Sequence, residues 1–127
     1  MLCVKIKKSF NLRRNIMCIF CAIINGDIPS KKVYEDEKCY AFLDIQPQAK
    51  VHCLIVPKEH IASVDELGEE NSKVVAHIFT VIPKIAKELG LEGGYRVVSN
   101  VGEDGCQSVK HLHFHILGGE KLSDKMA

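Results

Sequence analysis

The sequence predicts an α+β fold: a five-stranded antiparallel sheet with one long and one short helix. Three observations lead there. Five short apolar segments of strand length are separated by turn residues, and short loops join consecutive segments, which favours antiparallel pairing. A single long stretch repeats its apolar residues at steps of three and four, the stripe of a core-facing helix. Strands outnumber helices, so the helices are expected on one face of the sheet.

In chain order, residues 18–26 (CIFCAIING) read as a short helix closed by Gly26, followed by a turn at Ile28-Pro29-Ser30. Residues 32–35 make a first strand, and Asp36-Glu37 turns the chain into a second at 39–45. After a loop at 47–50, residues 51–57 (VHCLIVP) form a third, strongly apolar strand. Ser63, Asp65 and Glu66 match a capping box, in which hydroxyl and carboxylate satisfy the orphan amides of a helix start. Val74, Ile78, Ile82, Ile85 and Leu89 then mark the long helix, which ends near Gly90. Pro83 lies inside it and is expected to kink it, because proline removes one helical hydrogen bond. Gly93-Gly94 turns the chain into a fourth strand at 95–100, and a two-glycine loop at 101–107 leads to a fifth at 109–117.

A chain of 127 residues suits one domain with a single core. The net charge of +1 gives no bulk electrostatic case for nucleic acid or a membrane surface as partner. That balance conceals an asymmetry. Lys5, Lys7, Lys8, Arg13 and Arg14 stand in an acid-free leader, and the other 12 basic and 16 acidic residues leave the body at −4. Residues 1–16 are therefore expected to be a basic extension outside the fold, with Met17 a candidate initiator and 17–127 the domain. No stretch approaches the roughly 18 apolar residues of a membrane-spanning helix, and the leader lacks the apolar core of a secretory signal. A reducing, cytoplasmic location is the expectation, and a disulfide framework among the six cysteines is not. Cys39 and Cys53 fit as small core residues, whereas Cys18 and Cys21 form a C-x-x-C. That pair alone lacks two of the four ligands a tetrahedral zinc needs; His60 and His111 are candidates.

Most informative are His111, His113 and His115, which alternate with Leu112 and Phe114. On a strand the three imidazoles would share one face. At about 3.3 Å per residue the outer two would lie roughly 13 Å apart, too far for all three to grip one metal ion, although neighbours can. A solvated histidine-rich strand is the bland alternative. Just upstream, Gly105-Cys106-Gln107-Ser108 forms a small polar loop whose amides suit an anion beside those imidazoles.

The run from Gln107 to Leu117 (QSVKHLHFHIL) resembles the signature of the histidine triad (HIT) family. Further segments agree: Ile19-Phe20 and residues 26–29, 34–36, 41–47, 54–61 and 95–105, so the resemblance spans 17–119. It is nearest the Hint-like branch of nucleoside phosphoramidate hydrolases, in a zinc-binding bacterial form. The resemblance implies a HIT-like fold, a homodimer, and cleavage at the α-phosphate of purine nucleoside phosphoramidates through a covalent nucleotidyl-histidine. His113 would be the nucleophile, His115 would hydrogen-bond the phosphate or bridging atom, and Ser108 would help protonate the leaving amine. His52 would support the triad. Asp44 would take the ribose hydroxyls, and Ile19, Phe20, Ile28, Phe42 and Ile45 would form the base pocket. Asn100, Cys106, Gln107 and Ser108 would surround the phosphate with His113 and His115. The same resemblance assigns Cys18, Cys21, His60 and His111 to a structural zinc, with no metal required for the chemical step; His77 is read as packing or surface.

Three features depart from the family pattern. Cys106 stands where a smaller residue is usual, Lys110 where an aromatic is common, and no aromatic, proline-bearing tail follows the domain. Two rival readings accompany this one: a catalytic zinc on His111 and His113 with bound water as nucleophile, and a nucleotide-binding regulatory or scaffold module with incidental hydrolysis.

Overall fold

The computed structural model describes residues 18–125. The basic leader and its boundary near Met17 lie outside the described residues. Five strands, β1 (Lys32–Glu35), β2 (Cys39–Leu43), β3 (Val51–Pro57), β4 (Tyr95–Val98) and β5 (Phe114–Gly118), form one sheet in the order β1-β2-β3-β5-β4, antiparallel throughout. Because β5 returns between β3 and β4, those two run in the same direction. The segment joining them must therefore cross the sheet, and it carries the long helix α2 (Lys73–Glu88). The short helix α1 (Ile19–Ile24) precedes β1. The α+β class, the five strands and the long and short helices are those the sequence predicts.

Pairing of Phe42 with Leu54 and of Leu54 with His115 puts these residues on one face of the sheet; Ala41, Ile55 and Phe114 share the other. The second face, with Cys39, Cys53 and Ile116, packs under Ile78, Val81, Ile82 and Ile85 of α2. The first, with Tyr40, Phe42, Leu54 and Val56, packs under Phe20 and Ile23 of α1. The helices thus lie on opposite faces and not on one. α1 has its own apolar side, and a sheet with two apolar faces needs a cover on each.

One helix expectation is corrected. Ser63 caps only a single 3-10 turn, Val64–Glu66, through its Oγ to the amide of Asp65 at 3.2 Å. The chain then leaves the helical path, with the amide of Gly68 donating to Asn71 Oδ1 at 2.7 Å, and α2 starts nine residues after Val64. The local capping signal is real but serves a separate turn. α2 continues through Pro83, which sits on its exposed side.

The fifth strand is also shorter than predicted. Ladder pairing starts only at Phe114; before it, Leu112 donates its amide to the carbonyl of Ile61 at 2.6 Å and His111 donates to that of Val109 at 2.9 Å. Alternation survives the loss of ladder, since Leu112 and Phe114 enter the core under α2. His77 does more than pack. From α2 it donates to Asp36 Oδ2 at 2.7 Å, where the hydroxyl of Tyr34 also donates, at 2.9 Å. Asp36 Oδ1 accepts the amides of Lys38 and Cys39. Burial alone would raise the Asp36 pKa, but His77, the two amides and Tyr34 together hold it well below the usual carboxylate range.

Candidate active site and metal centre

Cys18 is the N-cap of α1 and accepts the amide of Cys21 at 3.1 Å, so the C-x-x-C spacing turns both thiols toward one point. His60, just after β3, and His111 arrive from the other side. The two Nδ1 atoms are 3.1 Å apart, and the four sulfur–nitrogen separations are 3.3, 3.3, 3.5 and 3.6 Å. These do not describe hydrogen bonds. Two Nδ1 atoms and two sulfurs in mutual contact share too few protons, and His111 has already committed one: its Nε2 donates to the carbonyl of Pro57 at 2.9 Å, leaving Nδ1 as a bare lone pair. A tetrahedral ion bonded at about 2.3 Å to sulfur and about 2.0–2.1 Å to nitrogen separates its donors by about 3.3 Å (N···N) and about 3.5 Å (S···N). The observed spacings fit that cage, and the Pro57 carbonyl is the outer hydrogen bond that commonly orients a histidine ligand. Burial, then the adjacent Cys18, pushes the Cys21 thiol up to about 11, and burial lowers His111 to about 4. Four side chains from three separate segments thus converge as a set that could hold a metal ion.

Next along the chain stands His113, 4% exposed, with Phe20 edge-on at a ring separation of 5.1 Å. Its Nδ1 lies 2.6 Å from the carbonyl of His111. A carbonyl only accepts, so Nδ1 holds the proton and Nε2 holds the lone pair. Burial, only partly opposed by that hydrogen bond and by Asp44, lowers its pKa below the ordinary histidine value. The ring is neutral at pH 7 with a nucleophilic nitrogen on the far side.

A second chain of protons ends at His115. The backbone amide of Gln48 donates to His52 Nδ1 at 3.0 Å, so a neutral His52 carries its proton on Nε2. That atom is 2.8 Å from His115 Nδ1, which must accept. His115 consequently keeps its own proton on Nε2, an atom with no partner among the described residues. Burial, with the neighbouring His113 and His52, lowers His115 to about 3; burial also lowers His52. The direction of every hydrogen bond here follows from one backbone amide.

Asp44 closes the arrangement: its Oδ1 accepts the amide of Gln46 at 2.8 Å, and Oδ2 is 3.5 Å from His52 Nε2. Ile19, Phe20, Ile28 and Phe42 all belong to the apolar cluster under α1, beside the imidazoles. Ile45 stands apart from it, 90% exposed. In the loop before the triad, Gln107 is a brace: Nε2 donates to the carbonyls of Ala62 and Val109 at 2.7 and 3.0 Å, and Oε1 accepts the amide of Gly102. Asn100 donates to the carbonyl of Gly105 at 2.7 Å. A Cβ on Gly105 would collide with the carbonyl oxygen of Val101 and lie 2.9 Å from its nitrogen. Cys106 adopts φ 63°, a left-handed conformation that glycine adopts at lower cost, and Ser108 is half-buried. The carbonyl of Pro57, the amide of Gln48 and Ser99, whose hydroxyl donates to the carbonyl of His113 at 2.8 Å, are not among the groups the sequence predicts. The first two are main-chain groups and carry no residue-type signal.

Known proteins share this fold and much of this sequence. The HIT domain family matches residues 25–122. A "14 kDa zinc-binding protein" of Zea mays is 47% identical over 107 residues, which cover 83% of this chain and 84% of the relative. Among solved structures, a HIT family hydrolase from Clostridium thermocellum superposes with a TM-score of 0.84 at 46% identity, covering 87% of this chain and 96% of the other. A histidine triad nucleotide-binding protein from Candida albicans gives 0.71 at 37%, covering 87% and 82%. By the extent of the match and the three alternating imidazoles, the chain belongs to the HIT domain family.

Proposed function

We propose that this protein is a nucleotide hydrolase of the Hint-like kind. It cleaves the P–N bond of purine nucleoside 5′-phosphoramidates through a nucleotide covalently held on His113. The observation that carries the reading is the 2.6 Å hydrogen bond from His113 Nδ1 to the carbonyl of His111, which leaves a neutral imidazole with its Nε2 lone pair free. Nε2 attacks phosphorus, the P–N electron pair leaves with nitrogen, and a proton from solvent, relayed by Ser108, completes the amine. His115 Nε2–H donates to a phosphoryl oxygen as charge develops there. Water then cleaves the nucleotidyl-histidine and releases the nucleoside monophosphate. Two related proteins of known structure, a HIT family hydrolase and a histidine triad nucleotide-binding protein, support the class.

In the same reading, Cys18, Cys21, His60 and His111 hold a structural zinc, in keeping with the zinc-binding maize relative. Its contribution is to cross-link α1, the end of β3 and the approach to β5, with no part in the chemical step. A homodimer is part of the proposal, supported by the edge strand β4 and the exposed Phe79 and Tyr95. No helix among the described residues is long and apolar enough to cross a membrane, and a cytoplasmic location is proposed with the rest.

Steady-state hydrolysis of an adenosine 5′-phosphoramidate tests the chemistry. Release of AMP is expected from the wild type, and a loss of at least about 1,000-fold from His113→Ala. Turnover in a metal-stripped, still folded sample separates this reading from a catalytic metal at His111 and His113: it persists here and vanishes there. Tight AMP binding without turnover on any phosphoramidate would return the protein to the scaffold reading.

A further inference from the structure

Two buried polar side-chain atoms lack a hydrogen-bond partner among the described residues: His115 Nε2, on the ring beside the proposed nucleophile, and Asn100 Oδ1, one residue after the serine that bonds the carbonyl of His113. Their polarities are opposite. His115 Nε2 is a donor, as the chain of bonds from Gln48 requires. Asn100 presents an acceptor, because its Nδ2 faces the carbonyl of Gly105 at 2.7 Å, where only the amide nitrogen can sit. The β4–β5 ladder ends with Val98 opposite His115; Asn100 follows Val98 by two residues and His113 precedes His115 by two. Ser99, between Val98 and Asn100, bonds the carbonyl of His113 at 2.8 Å, which ties this stretch to the triad.

Phosphate oxygens at neutral pH only accept hydrogen bonds, so Asn100 Oδ1 does not suit the phosphate that the family resemblance implies for it. It requires a donor. In a phosphoramidate, the group bonded to phosphorus that carries a hydrogen is the leaving nitrogen. In a phosphoanhydride or an acyl phosphate, the corresponding bridging atom is oxygen, a second acceptor facing an acceptor. Resting on the function proposed above, we infer that Asn100 is a specificity-determining residue: its Oδ1 accepts the N–H of the leaving amine and so selects P–N over P–O substrates. During cleavage that hydrogen stays on nitrogen, the P–N electron pair goes to nitrogen, and the additional proton arrives through Ser108.

The test compares two adenosine 5′-phosphoramidates, one with a P–NH–alkyl linkage and one with the same nitrogen methylated so that no N–H remains. The rate at which the nucleotide appears on His113 is measured for each, in the wild type and in Asn100→Leu. The wild type should favour the N–H substrate by about 10- to 100-fold, the range expected when a buried acceptor loses its donor. In Asn100→Leu that preference should collapse to within about 3-fold, and the steric effect of the methyl group, present in both proteins, cancels in the comparison. If Asn100→Leu does not fold, the substrate pair in the wild type still decides, since equal rates would overturn the inference. A preference unchanged in Asn100→Leu would overturn it too. So would a variant that forms the adduct normally and only hydrolyses it slowly, because Asn100 would then be holding the attacking water. Absence of any adduct in the wild type is a different result, counting against the covalent mechanism itself.

Discussion

Replacing His52 probes the proton chain that sets the state of His115. His52 is 2% exposed and connects the Gln48 amide at 3.0 Å to His115 Nδ1 at 2.8 Å. In His52→Phe the ring volume is retained while both hydrogen bonds are lost. The Gln48 amide borders solvent and recovers part of its loss, whereas His115 Nδ1 remains buried without a donor, so destabilisation of about 2–4 kcal/mol is expected. The functional consequence is separate. Without a donor on Nδ1, the His115 proton is no longer confined to Nε2, and a phosphoryl oxygen can meet a lone pair; kcat/KM should fall about 10- to 100-fold. His52→Gln, whose amide can donate to His115, should recover much of both losses. Urea denaturation gives the stability, initial rates give kcat/KM, and 15N chemical shifts of His115 report the tautomer directly. His52→Phe with wild-type kcat/KM, or with the His115 proton still on Nε2 alone, would refute the reasoning.

Three further perturbations test other parts of the structure. Removing the α2-to-sheet tie in His77→Ala should cost about 1–3 kcal/mol, and a double-mutant cycle with Asp36→Asn should give a coupling above about 0.5 kcal/mol; additive losses would mean that the 2.7 Å contact contributes nothing. Gly105→Ala should displace the loop that collides with the new Cβ and weaken AMP binding at least 10-fold by calorimetry, with a smaller effect on stability. Metal-free protein should lose stability in acid, because His111 and His115 are lowered from 6.5 to about 4 and about 3. The unfolded chain then binds more protons below pH 6.5, so stability falls as pH drops through that window, by about 4 kcal/mol between pH 7 and 5 for the pair; an unchanged denaturation midpoint over that range would contradict it.

The sequence was most legible where a repeating pattern met a repeating structure. The apolar run of β3 and the stripe of α2 announced themselves, and the alternation at His111, His113 and His115 placed the imidazoles on one side although ladder pairing starts only at Phe114. The metal set was half legible: Cys18 and Cys21 are neighbours in sequence, but His60 and His111 join them only through the fold, and the resemblance supplied that link. Illegible were contacts made by the main chain. The carbonyls of Pro57 and His111 and the amide of Gln48 fix which nitrogen of each imidazole carries its proton, and no residue type encodes them. Local signals also compete with tertiary ones: the capping residues at 63–66 predict the start of the long helix, while the chain uses them for a separate turn. The placement of α1 on the face opposite α2 depended on a second apolar face of the sheet, which Tyr40, Phe42, Leu54 and Val56 create together and none of them signals alone.

The most direct test of the covalent mechanism is a rapid-quench experiment read by mass spectrometry. The zinc-loaded protein is mixed with an adenosine 5′-phosphoramidate, stopped in acid-free denaturant within the first turnover, and digested. An adenylyl group on the peptide containing His113, rising and decaying at rates consistent with turnover and missing from His113→Ala, is the predicted result. Full release of AMP with no labelled protein at any time, or label that persists in His113→Ala, would contradict it.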